Sequence, residues 1–124
     1  MIKTRSFVSV VDDDESMREA LPGLLKEFGF PSRTFSSAEE FLASGDVSQT
    51  RCLILDIAMP GMSGPELQQT LKQRHVQIPI IFITAHGEAA VRRRLLAEGA
   101  VECLLKPFTD TALLDALNLA LQNE

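Results

Sequence analysis

Short apolar runs alternate with amphipathic stretches along all 124 residues of this chain, and that rhythm leaves few folds open. Phe7 to Val11, Pro31 to Phe35, Cys52 to Leu55, Ile78 to Thr84 and Val101 to Leu105 read as strands, because each apolar run is too short for a helix. Between and after them lie helical patterns. The first runs from Glu15 to Phe28 and ends at Gly29. Ser36-Ser37-Ala38-Glu39-Glu40 opens the second with a serine cap and a glutamate three residues on. Pro65 to Arg74 begins with a favourable first-turn proline. Glu88 to Glu98 is closed by Gly99, and Asp110 to Gln122 carries Leu113, Leu117 and Leu121 on one stripe. Strands and helices in strict alternation, with short connections, predict a parallel sheet covered on both faces, and right-handed crossovers favour a doubly wound order. Pro22-Gly23 should kink the first helix, where proline loses a backbone bond.

The length suits one domain with one sound core, and no internal repeat or linker interrupts it. A net charge of -5 argues against nonspecific nucleic-acid binding, which calls for a basic face. No apolar stretch approaches a membrane span, and Met1-Ile2-Lys3-Thr4-Arg5 lacks the apolar run of a signal peptide, which points to the cytoplasm. Cys52 and Cys103 show no metal-ligand spacing and read as core thiols.

The polar residues that matter fall at strand ends, where ligands bind in open α/β sheets. Asp12, Asp13 and Asp14 follow the first strand, Asp56 the third, Thr84 the fourth and Lys106 the fifth. Each alone is an ordinary loop residue; together they form a constellation. Carboxylates gathered in one pocket repel each other unless a cation intervenes. Oxygen ligands without His or Cys favour Mg²⁺, with Mn²⁺ a possible substitute. An Asp carboxylate can attack phosphorus to form an aspartyl phosphate, and an amine and a hydroxyl can bind the transferring oxygens.

Val11-Asp12-Asp13-Asp14-Glu15, Leu55-Asp56-Ile57-Ala58-Met59-Pro60-Gly61-Met62-Ser63-Gly64, Ile83-Thr84-Ala85-His86-Gly87 and Lys106-Pro107-Phe108 together resemble the receiver domains of two-component response regulators. The Thr-x-His-Gly stretch and Glu39-Glu40-Phe41-Leu42 are most similar to the FixJ-like (NarL/FixJ) branch. The resemblance spans essentially the whole chain, residues 1–124, as one receiver domain. It implies a flavodoxin-like (CheY-like) five-stranded sheet of order 2-1-3-4-5. Asp56 would be the phosphoacceptor, supplied by a sensor histidine kinase. Asp13 would bind Mg²⁺ directly, Asp12 would help through water, and Asp56 and the backbone carbonyl of Ala58 would complete the protein ligands. Thr84 and Lys106 would bind the phosphoryl oxygens, and Lys106-Pro107 would be a cis peptide. Asp14 and Glu15 start the first helix, where acids suit the dipole. Such a domain signals and catalyses only its own phosphorylation and dephosphorylation.

The family's switch position, three residues before the lysine and usually aromatic, is here Cys103. Either signalling relies on movement of the loop after the fourth strand, or Cys103 is simply a small core residue. If that loop stays unmoved between phosphomimic-bound and free crystals, the first reading fails. Arg92-Arg93-Arg94 is either a solvated helix face or part of a partner surface, through which phosphorylation would strengthen a homodimer using the fourth-helix and fifth-strand face. An unchanged monomer on sedimentation with beryllofluoride would count against the dimer. His86 is a solvated loop residue or a gate on water near Thr84, and His75 a surface residue at a helix end.

Two other functions compete. Asp12-x-Asp14 resembles the nucleophile motif of haloacid-dehalogenase phosphohydrolases, but those need a cap and a late acidic pair, which a chain ending Leu119-Ala120-Leu121-Gln122-Asn123-Glu124 lacks. A flavin carrier on the same fold would find its phosphate repelled by three aspartates. FixJ-like regulators usually add a C-terminal helix-turn-helix domain, absent from these 124 residues. DNA contact would come only through such a domain, so the chain is an excised or a stand-alone receiver.

Overall fold

The computed structural model describes residues 6–122. Met1 to Arg5, on which the reading of the chain start rests, and Asn123 and Glu124 lie outside the described residues. Strands β1 (Phe7–Val11), β2 (Ser32–Phe35), β3 (Thr50–Asp56), β4 (Ile80–Thr84) and β5 (Glu102–Leu105) alternate with helices α1 (Glu15–Glu27), α2 (Ala38–Ala43), α3 (Gly64–Gln73), α4 (Ala89–Ala97) and α5 (Asp110–Leu121). The strands pair in parallel in the order β2-β1-β3-β4-β5, the doubly wound arrangement expected.

Strand periodicity sorts the core into two layers. Val8, Val10, Cys52, Ile54, Ile81 and Ile83 face Leu21 and Leu25 of α1 and Leu113 and Leu117 of α5. Val11, Leu53, Leu55 and Phe82 face Phe41 of α2, Leu67 and Leu71 of α3 and Leu95 of α4. Each such side chain, fully buried, contributes about 1.5–3 kcal/mol. Because β1 is followed by β2 on one side and β3 on the other, the strand order reverses beside β1. The crevice past the carboxyl ends of β1 and β3 is therefore where a ligand fits.

Several boundaries differ from expectation. β4 begins at Ile80, after Pro79, which has no amide hydrogen and offers its carbonyl to Leu53 instead (2.9 Å). A short 3-10 turn at Val47–Gln49, with no sequence signal behind it, leads into β3. Pro22 lies within α1, where a kink was expected, and the helix is continuous over 13 residues. Of the two cysteines expected in the core, Cys52 is fully buried, but Cys103 is only half-buried.

Candidate functional site

Asp12 follows β1 and is fully buried, so its charge must be answered locally. The Lys106 ammonium does so, 2.8 Å from Asp12 Oδ2. Asp12 Oδ1 accepts the Asp14 amide at 2.9 Å, and Arg18 donates to the Asp12 backbone carbonyl, also at 2.9 Å. Asp56 is the last residue of β3 and is buried, with Oδ1 3.8 Å from the same Lys106 Nζ. Asp13 is exposed at the rim, and carboxylate oxygens of Asp12, Asp13 and Asp56 all lie within 4.8 Å of one another.

The electrostatics follow from this crowding. Burial, reinforced by the charge of Asp12 and opposed by Lys106, pushes the Asp56 carboxyl up to about 7. Burial pulls the Lys106 ammonium down, but its hydrogen bond to Asp12 and the charges of Asp12 and Asp56 outweigh that and hold it above its ordinary value. The pocket is thus short of positive charge: one ammonium faces three carboxylates. That deficit, with oxygen-only donors, fits a divalent cation.

The Lys106 amide donates to the Thr84 carbonyl (2.7 Å), which ties its backbone to the end of β4. The Lys106-Pro107 bond is cis, as expected. The buried Thr84 hydroxyl lies 3.1 Å from both the His86 amide, which donates to it, and the His86 carbonyl. The hydroxyl is engaged with its own loop. Ala58 is exposed two residues beyond Asp56. Cys103 lines a cavity of about 290 Å³ with Ile57, Thr84, Val91, Arg92 and Leu105. Burial pushes its thiol up, away from reactivity.

Other expected residues take structural parts. Asp14 is the N-cap of α1, its carboxylate accepting the Ser16 amide at 2.9 Å. That use removes the second acid of the phosphohydrolase motif from the cluster. His86 is exposed. His75 is exposed too and ends α3 with a positive φ of 58°, where glycine is commoner. Arg92 is not simply solvated: it meets Glu102 of β5 at 2.6 Å.

Three contacts escaped the sequence reading. Ser63 and Glu66 form a reciprocal capping box at the start of α3, legible in principle as Ser-x-x-Glu. Gly64 packs so closely on the Asp56 backbone carbonyl that a Cβ there would collide with it. Glu39 of α2 accepts the amide of Met62, 23 residues away, at 3.0 Å.

The fold and site define a class: a flavodoxin-like sheet whose switch point carries an acidic pocket closed by one lysine. Residues 8–118 match the family described as the response regulator receiver domain, and the chain belongs to that family, in its FixJ-like branch. It is 43% identical over 121 residues to Nodulation protein W of Bradyrhizobium diazoefficiens, covering 98% of this chain and 53% of that protein. The solved structure of the response regulator StyR superposes with a TM-score of 0.88 at 48% identity, over 97% of this chain and 61% of that one. The FixJ-N crystal structure gives a TM-score of 0.84 at 36% identity, over 100% of this chain and 98% of that one. The chain spans about half the length of the curated relatives it matches. No helix among the described residues is long and apolar enough to cross a membrane.

Proposed function

We propose that this chain, residues 1–124 as one receiver domain, accepts a phosphoryl group from a sensor histidine kinase on Asp56. The observation that carries the reading is one buried strand-end carboxylate within 3.8 Å of a lysine and beside two further aspartates. In the step, an Asp56 oxygen attacks phosphorus and the bond from phosphorus to the kinase imidazole breaks. The electron pair returns to that nitrogen, which takes up a proton. Lys106 and Thr84 bind the phosphoryl oxygens; Thr84 must first release the His86 backbone. Asp12, Asp13, Asp56 and the Ala58 carbonyl would hold Mg²⁺, or Mn²⁺ in its place. When bound, the cation offsets the charge of the carboxylates and of the transferring oxygens. The domain catalyses only its own phosphorylation and dephosphorylation.

Phosphorylation then acts on the surface formed by the β4–α4 loop, α4 and β5. With Cys103 in place of an aromatic ring, the loop carrying Thr84 and His86 transmits the change, and a homodimer through α4 and β5 is its consequence. The output is transcription, through a DNA-binding segment of the whole protein, in the cytoplasm. Labelling with acetyl phosphate and Mg²⁺ tests the central assignment. Wild type takes up label and Asp56→Asn falls to background; retained labelling in the variant would overturn it.

A further inference from the structure

The segment Glu39-Glu40-Phe41-Leu42 marks the branch, yet the acceptor chemistry uses none of it. Its residues divide the work unequally. Phe41 is fully buried and Leu42 packs against the same core layer. Glu40 serves its own helix: its amide bonds the Ser37 cap (3.0 Å), and its carboxylate reaches back to the Ser36 hydroxyl (2.9 Å). Glu39 instead leaves its helix, its Oε2 accepting the Met62 amide at 3.0 Å.

Met62 lies on the loop from Ile57 to Ser63, which leaves β3 directly after Asp56. One edge of the loop is closed by the Gly64 amide donating to the Ile57 carbonyl (3.0 Å), and Met59 is buried in the core. Pro60 and Gly61 are exposed and reach out to the far side. There Glu39 supplies the tie. Its carboxylate lies against Gly61, whose φ is +76° and where a Cβ would come within 2.6 Å of Glu39 Oε2. Gly61 is needed for its left-handed turn, and its lack of a Cβ leaves room for the carboxylate to approach. A carboxylate accepting a backbone amide makes a charge-assisted hydrogen bond, stronger than a neutral one in the same setting.

We propose that Glu39 is a positioning residue for the metal site: by gripping Met62 it fixes the loop that presents the Ala58 carbonyl. The inference rests on reading Asp12, Asp13, Asp56 and Ala58 as the cation's ligands. Without the grip, the exposed lobe at Pro60 and Gly61 is held only at its ends, and cation binding must order it.

Calorimetric titration with Mg²⁺ alone, beside thermal melts of each variant, tests this. Glu39→Ala raises the Mg²⁺ dissociation constant about tenfold, the lower end of what loss of an outer-shell partner costs. Glu39→Gln, which keeps an acceptor oxygen, stays within about threefold of wild type, a minor fraction of that loss. Glu40→Ala, which removes only a helix-start contact, melts earlier but binds Mg²⁺ as wild type does. An unchanged constant in Glu39→Ala would overturn the proposal. An equal loss in Glu40→Ala would reduce Glu39 to general stability, and an equal loss in Glu39→Gln would make its charge, not its bond, the cause. If wild type itself fails to bind Mg²⁺, the ligand reading falls first and this inference with it.

Discussion

Two successive βα units of this domain are built to opposite standards. At the β3–α3 unit, the helix starts with a complete capping box, buries Gly64, Leu67, Gln68 and Leu71, and presses its first residue onto the Asp56 carbonyl. At the β4–α4 unit, a helix of nearly equal length starts at Glu88 with no side-chain cap and fully buries only Leu95. Ala85 to Glu88 are all exposed, and a cavity of about 290 Å³ lies beneath them. Asp56, the proposed acceptor, is thus mounted on a rigid seat, and the residues that would respond to it on a loose one. Elements with few buried contacts open at lower free energy than the rest of the fold, so mobility is expected where the response is read. The few ties of α4 are at its far end and flank: Lys72 meets Glu98 at 2.8 Å, and Arg92 meets Glu102 at 2.6 Å.

Two glycines give the sharpest way to break this contrast. A Cβ at Gly64 meets the backbone carbonyl of Asp56 and lies 3.0 Å from the Phe82 ring, so neither neighbour yields easily. Gly64→Ala should cost about 3 kcal/mol, as backbone overpacking does. A Cβ at Gly87 meets only the tip of Leu105 at 3.1 Å, and that side chain is 54% exposed and free to turn. Gly87→Ala should therefore cost under about 0.5 kcal/mol, as for a tolerant surface site. Urea unfolding of the pair decides it. Equal midpoints would erase the distinction between the two units.

Asp56 supplies the next test, because a rigid seat cannot relax to relieve a buried charge. Its carboxyl is raised from 3.8 to about 7, so between those values the folded chain holds a proton that the unfolded chain has lost. Stability therefore falls as pH rises through that window. In divalent-free buffer at pH 8, Asp56→Asn should be more stable than wild type by about 1–2 kcal/mol, less than the full shift implies because Lys106 and water share the charge. Below pH 4 the difference should vanish. A gap that widens on acidification would show that Asp56 is stabilised as an anion and that the Lys106 contact dominates.

Much of this was legible in the sequence. Phe7 to Val11 emerges as β1 residue for residue, since five apolar or small residues between polar flanks allow little else. The gathering of Asp12, Asp13, Asp56 and Lys106 followed from strand ends alone, because a parallel sheet brings all its carboxyl ends to one edge. What escaped depends on side-chain direction. Lys106 pairs with Asp12 across 94 residues, and no local pattern specifies which carboxylate it prefers. Cys103 was expected in the core from its apolar run, but β5 is an edge strand and α4 covers it incompletely. The grip of Glu39 on Met62 is invisible for the same reason: exposed glutamates usually serve their own helix, as Glu40 does.

A smaller gain of stability would show whether the looseness of α4 lies in its start. Glu88 already has the extended backbone of an N-cap, with φ −89° and ψ 125°, but its side chain makes no capping bond. Glutamate is one methylene too long for that turn, whereas aspartate carries the same charge at capping length. Glu88→Asp therefore changes the cap while leaving the charge near the helix dipole in place. It should stabilise α4 by about 0.5–1 kcal/mol, seen as a roughly two- to fivefold slowing of amide exchange over Val91, Arg92 and Arg93. Exchange in α3, already capped by Ser63, should not change. If the variant slows exchange in both helices alike, the two units open together and the contrast is not one of local stability. If it slows α4 alone and also weakens the effect that the proposed phosphorylation of Asp56 has on that surface, the missing cap is part of how the signal is read.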